Sequence, residues 1–197
     1  MPPTATGSRR GATNGAAVTG FTKVAERLVH RGAVVEFVEV DFTGPQGESL
    51  TRDVVRHPGA VAVVAVDDQQ RVVLVRQFRA PLERDVFEIP AGKLDVPGEP
   101  RETTARRELV EEVGLEAERW VHLTTYATAP GFSDEMLDVY LATGLTEVGS
   151  AADGVEEQYM EVHRLPLAEC LERIRDGRLA DAKTIVGVLM AAERLGG

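Results

Sequence analysis

Arg107-Glu-Leu-Val-Glu-Glu-Val-Gly-Leu115 is the stretch from which the rest of the chain can be read. Glu108, Glu111 and Glu112 stand at i, i+3 and i+4, a spacing that stacks side chains on one face of an α-helix. Folding does not ask for this: like charges so placed destabilise an isolated helix by about 0.2–0.5 kcal/mol per pair. A glutamate run on a helix is commonly a solvated face and nothing more. The other reading is a site with a counter-ion. Mg²⁺ takes oxygen ligands, keeps several waters and is usually held by a few carboxylates together with substrate phosphates, and Mn²⁺ suits the same donors. Phosphate chemistry is therefore the first functional expectation.

The flanking residues sharpen it. Gly92 and Glu99 precede the stretch, and Gly114 ends it where a helix C-terminus favours glycine. Together these residues resemble the Nudix box, G-x5-E-x7-R-E-U-x-E-E-x-G-U with U aliphatic, the motif of the Nudix hydrolases. Every position from Glu99 to Leu115 fits, whereas Gly92 lies one residue too far upstream, giving G-x6-E. The extra residue falls in the loop from Lys93 to Gly98, where length change is tolerated. The resemblance implies metal binding by Glu108, Glu111, Glu112 and the backbone of Ala91, with Arg107 orienting the glutamates by ion pairing. It also implies an α/β (α+β) fold of Nudix type, an α/β/α sandwich around a mixed sheet.

Working outward, three alternating runs precede the box: Lys23–Val29, Ala33–Phe42 and Leu50–Arg56, with turns at Gly32 and Gly44-Pro-Gln-Gly47. They read as an N-terminal antiparallel meander. Ala60–Val66 is continuously apolar, as a buried central strand would be. Val72–Arg79 and Val86–Ile89 follow as strands, and the box helix is expected from about Pro100 to Val113, proline being tolerated in a first turn. Beyond it the pattern predicts strands over Trp120–Thr128, Leu137–Ala142 and Tyr159–Leu165, then helices over Leu167–Asp176 and Ala182–Leu195. The expected organisation is a flexible tail over 1–20, a strand segment over 21–57 and a hydrolase domain over 58–197.

A second stretch, Thr128-Ala-Pro-Gly-Phe-Ser-Asp-Glu135, is by itself an ordinary turn. Pro130, however, stands sixteen residues after Gly114, and a proline near that distance resembles the marker of the ADP-ribose pyrophosphatase branch. Thr51-Arg52-Asp53, Arg76-Gln77-Phe78-Arg79 and Val155-Glu156-Glu157 add to the resemblance. It implies Mg²⁺-dependent hydrolysis of ADP-ribose to AMP and ribose 5-phosphate. Arg52 or Asp53 would bond the adenine or ribose, since a buried base needs its polar edge paired. Arg79 would bind the diphosphate bidentately, and Gly131 and Ser133 would border the substrate. With Glu112 and its neighbours occupied by metal, the base that deprotonates water must come from elsewhere. The acidic loop supplies Glu157 and Glu156, and the branch favours Glu157. His163 is the second candidate from chemistry alone, although its place in a strand suggests packing. Other readings are a Nudix hydrolase acting on a nucleotide sugar or dinucleotide, and a non-catalytic ADP-ribose sensor.

A formal net charge of −10 argues against a nucleic-acid or anionic-membrane partner, and makes an anionic substrate awkward without metal ions or local arginines. No apolar run is long enough to span a membrane. The single cysteine, Cys170, rules out an intrachain disulfide framework, fits a reducing, cytoplasmic compartment, and reads as a packed residue of a helix. The expected partners are a small nucleoside diphosphate derivative and a second copy of the chain. In the ADP-ribose branch the N-terminal strands exchange between subunits, which implies a homodimer.

Overall fold

The computed structural model describes residues 20–149 and 159–196. Its centre is β4, Ala60–Val66, a strand of small and β-branched residues buried at all seven positions. Such a strand needs partners at both edges and cover on both faces. β5, Arg71–Arg79, returns beside it after a turn in which Asp67 Oδ1 accepts the backbone N–H groups of Gln69 and Arg71, each at 2.9 Å. On the other edge β9, Met136–Glu147, runs parallel to β4 over seven residue pairs from Ala60↔Leu137 to Val66↔Thr143. β8, Leu115–Ala127, borders β9, and β10, Glu161–Pro166, borders β5, both antiparallel. The spatial order is β10-β5-β4-β9-β8, with β6, Arg84–Glu88, paired to β5 and β7, Ala91–Lys93, paired to β4. Parallel and antiparallel pairings in one sheet make it the expected mixed sheet.

Helices cover both faces. On one, Ala105 and Leu109 of α1, Arg101–Val113, pack on Val61, Val63, Val73 and Tyr140. On the other, Cys170 of α2, Leu167–Arg175, and Val188 and Ala191 of α3, Ala182–Gly196, pack on Val64, Leu74, Ile89 and Val139. The close approach of α3 rests on Gly187, where a Cβ would come within 2.8 Å of Val64 Cγ2. The result is the expected α/β/α sandwich.

The strand segment forms a separate three-stranded antiparallel sheet: β1, Thr22–Arg31; β2, Glu36–Thr43; β3, Ser49–Arg56. Val38 and Val40 of β2 are buried, while every residue of β1 is exposed, with Val24 66% and Leu28 47% accessible. β3 meets the sandwich through the Pro130 loop, where Val55 N donates to Phe132 O at 2.7 Å and Asp134 N to Val55 O at 3.2 Å.

Among the strands, four departures from the sequence expectation exceed two residues. β8 begins at Leu115 and not at Trp120, because Gly114 takes a left-handed conformation (φ 67°) that turns the chain straight into pairing with Glu147. β9 correspondingly continues past Ala142 to Glu147. β2 starts at Glu36, since Gly32 N bonds Val35 O at 2.9 Å and keeps residues 33–35 in the turn. β7 lies in a segment whose Pro, Gly and Lys read as loop, and pairing with β4 alone makes it a strand. Among the described residues no helix is long and apolar enough to cross a membrane.

Candidate active site

The site is built where α1 crosses the segment Glu88-Ile-Pro-Ala91. That segment is pinned at three points: Ile89 N donates to Thr184 Oγ1 at 2.9 Å, Pro90 O accepts Val63 N at 2.8 Å, and Ala91 N donates to Glu112 Oε2 at 3.1 Å. The backbone of Ala91 and the carboxylate of Glu112 are thereby brought together. Gly92 follows, and a Cβ there would overlap the Glu108 carboxyl. Glycine is the residue that lets Glu108 lie against the strand. The additional residue before Glu99 is taken up downstream of it, in a turn with Gly98 at φ 81° and Glu99 N bonded to Val96 O at 3.2 Å.

Glu108, Glu111 and Glu112 are all half-buried. Arg107 Nη1 donates to Glu108 Oε1 at 3.0 Å and to Glu111 Oε2 at 2.9 Å, while Nη2 faces Asp95 Oδ1 at 3.3 Å and Glu99 Oε2 at 3.4 Å. Glu99 is held in turn by Thr104 Oγ1 at 2.7 Å. Burial pushes the Glu108 carboxyl above its ordinary value, and the negative charges of Glu111 and Asp95 add to this against the opposing Arg107. Among the described residues no three acidic, histidine or cysteine side chains converge as a metal cage; Glu108 and Glu111 are turned toward Arg107. The donor set nevertheless fits a hard divalent cation. Four carboxylates, Asp95, Glu99, Glu108 and Glu111, share one guanidinium and leave an excess of negative charge for a cation to balance.

The family model of the NUDIX domain matches residues 56–183. The chain belongs to the Nudix family. Its resemblance to known proteins extends over most of the chain. An ADP-ribose pyrophosphatase of Mycobacterium tuberculosis is 45% identical over 86% of this chain and 82% of its own length. A second, from Bacillus subtilis, is 39% identical over 84% and 89%. A methanol dehydrogenase activator of Bacillus methanolicus is 42% identical over 81% and 86%. A solved structure described as an ADP compounds hydrolase superposes with a TM-score of 0.80 at 23% identity, covering 93% of this chain and 98% of the other, and supports the fold.

Around this Nudix helix the remaining candidates are dispersed. Arg79 lies on Glu88, donating from Nε to Oε1 at 2.6 Å and from Nη2 to Oε2 at 2.5 Å. Arg52 and Asp53 are exposed on β3, with Arg52 Nη1 on Thr51 O at 2.8 Å. Gly131 is exposed at the tip of the Pro130 loop, and Ser133 Oγ accepts Glu135 N at 3.2 Å. Glu156 and Glu157 lie outside the described residues. His163 sits on β10 with its ring edge-on to Phe87 at 5.1 Å, a packed strand residue.

Sequence reasoning missed two polar groups. Glu88, 1% exposed, carries Arg79 and Lys183, and Asp138, 5% exposed, receives Arg101 together with Thr125 Oγ1 at 2.6 Å and His122 Nε2 at 3.0 Å. The signal was present in both cases, a lone acid inside an apolar strand, Val-Phe-Glu-Ile and Leu-Asp-Val-Tyr.

Proposed function

We propose that this chain is a Mg²⁺-dependent hydrolase that cleaves the diphosphate of ADP-ribose to AMP and ribose 5-phosphate. The observation that carries the reading is the carboxylate cluster of α1 locked against Gly92 and Ala91, an arrangement of hard oxygen donors with excess negative charge. Glu108, Glu111, Glu112 and the backbone of Ala91 would hold the metal, and Mn²⁺ is an acceptable substitute. When bound, the ion neutralises the diphosphate and lowers the pKa of its water. Arg107 spaces the glutamates and keeps their charge balanced. Arg79 supplies bidentate contact to phosphate oxygens, with Gly131 and Ser133 at the border of the substrate. Glu157, with Glu156 beside it, takes the proton of the attacking water. The likeness to two ADP-ribose pyrophosphatases at 39–45% identity supports the substrate.

The assembly belongs to the same reading. β1 leaves Val24, Leu28 and Val29 about half exposed or more on a ten-residue edge strand, a surface that pairs readily with another chain. A two-fold dimer through this sheet would carry Arg52 and Asp53 toward the adenosine end of the partner's site. The reducing compartment suited to the lone Cys170 is the cytoplasm.

Product analysis tests the function directly. ADP-ribose, nucleotide sugars and dinucleotides are incubated with the protein, with and without Mg²⁺ or Mn²⁺. AMP and ribose 5-phosphate formed from ADP-ribose only with metal is the expected result; preferential cleavage of another member of the panel would move the substrate, and no metal-dependent cleavage would leave a binding role.

A further inference from the structure

Between the end of β5, β6 and the start of α3 a cavity of about 380 Å³ is lined by residues that include Arg79, Leu82, Arg84, Glu88, Asp181 and Lys183. Its floor is Glu88, whose carboxylate is shared by two cations. Arg79 occupies both oxygens, and Lys183 Nζ donates to Oε2 as well. Lys183 also reaches Asp181 Oδ1 at 3.1 Å, and Asp181 Oδ2 accepts Thr184 N at 3.0 Å at the start of α3. Burial opposes ionisation of Glu88, but the hydrogen bonds of Arg79 and the charge of Lys183 outweigh it and hold the carboxyl below its ordinary value.

One cation is enough for one buried carboxylate, and the bidentate guanidinium already fills both oxygens. Asp181 is the second carboxylate of the cluster, and Lys183 is the cation that bridges the two acids, so Glu88 keeps an ammonium partner besides Arg79. Exposure separates the two cations: the Arg79 side chain is 38% accessible and Lys183 12%. Arg79, the more exposed of the two and a lining residue of the cavity, is therefore the cation placed to exchange partners. Were Arg79 to leave Glu88 with no other cation present, a buried charge would be stranded. Lys183 removes that obstacle.

We infer that Lys183 is a positioning residue, a reserve counter-ion that keeps Glu88 neutralised so that Arg79 can leave it and take the substrate's diphosphate. The inference rests on the proposed diphosphate substrate. It recasts the observed Arg79–Glu88 pair as the resting position of a residue that exchanges one anion for another. Without Lys183, Glu88 would hold Arg79 more tightly, and the state competent to bind diphosphate would be rarer, so apparent affinity would fall in proportion.

The test is calorimetric titration of inorganic pyrophosphate at fixed Mg²⁺, with kinetics on ADP-ribose alongside. Lys183→Met should weaken pyrophosphate binding and raise KM by about tenfold or more, with a smaller change in kcat. Glu88→Gln, which frees Arg79, should bind pyrophosphate at least as tightly as the wild type, and Glu88→Gln/Lys183→Met should recover the affinity lost in Lys183→Met. Lys183→Arg should behave as wild type. Unchanged binding in Lys183→Met, a double variant as weak as Lys183→Met, or weakened binding in Glu88→Gln would each overturn the exchange. Should Lys183→Met not fold, Glu88→Gln alone decides, because a purely structural Glu88 predicts a loss of affinity where exchange predicts none. Pyrophosphate reports on Arg79 whatever nucleoside the enzyme prefers, so failure of the ADP-ribose assignment and failure of the exchange are read separately.

Discussion

At the scale of the residue, two positions decide whether the box helix can work. Gly92 admits the Glu108 carboxyl into space that any Cβ would fill. Gly92→Ala should leave the sandwich intact, since what its Cβ would meet is the end of the flexible Glu108 side chain and not backbone, yet displace Glu108 and cost roughly 10²-fold in turnover, the usual effect of about 1 Å of misplacement. Metal-dependent rates near wild type in a folded Gly92→Ala protein would show that Glu108 is not required where it stands. Glu112 accepts Ala91 N and so joins helix to strand. Glu112→Gln keeps an acceptor oxygen and a good helix former while removing a negative charge. Several orders of magnitude in turnover should be lost with little change in thermal stability; steady-state kinetics at saturating Mg²⁺ together with a melting curve separate the two effects.

The element scale concerns the acidic loop and the first strand. Glu157→Gln should lower the maximal rate by roughly 10²–10⁴ with Mg²⁺ affinity unchanged, the contribution of a general base, and Glu156→Gln should do less. The opposite ranking in kcat would transfer the role to Glu156. On β1, hydrogen bonds from Arg56 and Lys23 draw the Glu26 carboxyl from an ordinary 4.5 down to about 2. A carboxylate depressed in the folded state contributes stability that is present above its unfolded value and is lost as pH falls through the folded one. The pair is exposed and screened, so the effect is local. As pH drops from about 4.5 toward 2, the protection of β1 amides from hydrogen exchange should fall relative to that of Glu26→Gln measured at the same pH; a constant ratio between the two proteins would show that the Arg56 pair does not secure the strand.

For the whole molecule the question is what becomes of the outer sheet. Removing residues 1–20 should leave assembly and activity unchanged, whereas removing residues through Arg56 should abolish both, because the deletion takes away β1, β2 and β3 together with Arg52 and Asp53. Sedimentation at micromolar concentration reads the first outcome and ADP-ribose turnover the second. A fully active monomer would defeat the exchanged-strand dimer.

Much of this architecture was legible in the linear chain, because its signals are local. The unbroken Ala60–Val66 run reads as a buried central strand, and is one. The helical spacing of the box glutamates and the Gly114 stop depend on backbone geometry within a few residues, and α1 ends accordingly at Val113. The alternation of the first strands likewise set the meander. What tertiary structure alone decided was non-local. Ala91–Lys93 is a strand because β4 offers it hydrogen bonds, not because of its own residues. Gly92 lies against Glu108 only after the sheet and α1 have packed. Glu88 and Lys183 are ninety-five positions apart in the chain, and no pattern in a single sequence couples residues at that separation. Periodicity writes down which face of an element is buried; which charges then meet across the buried space is settled only when the faces close.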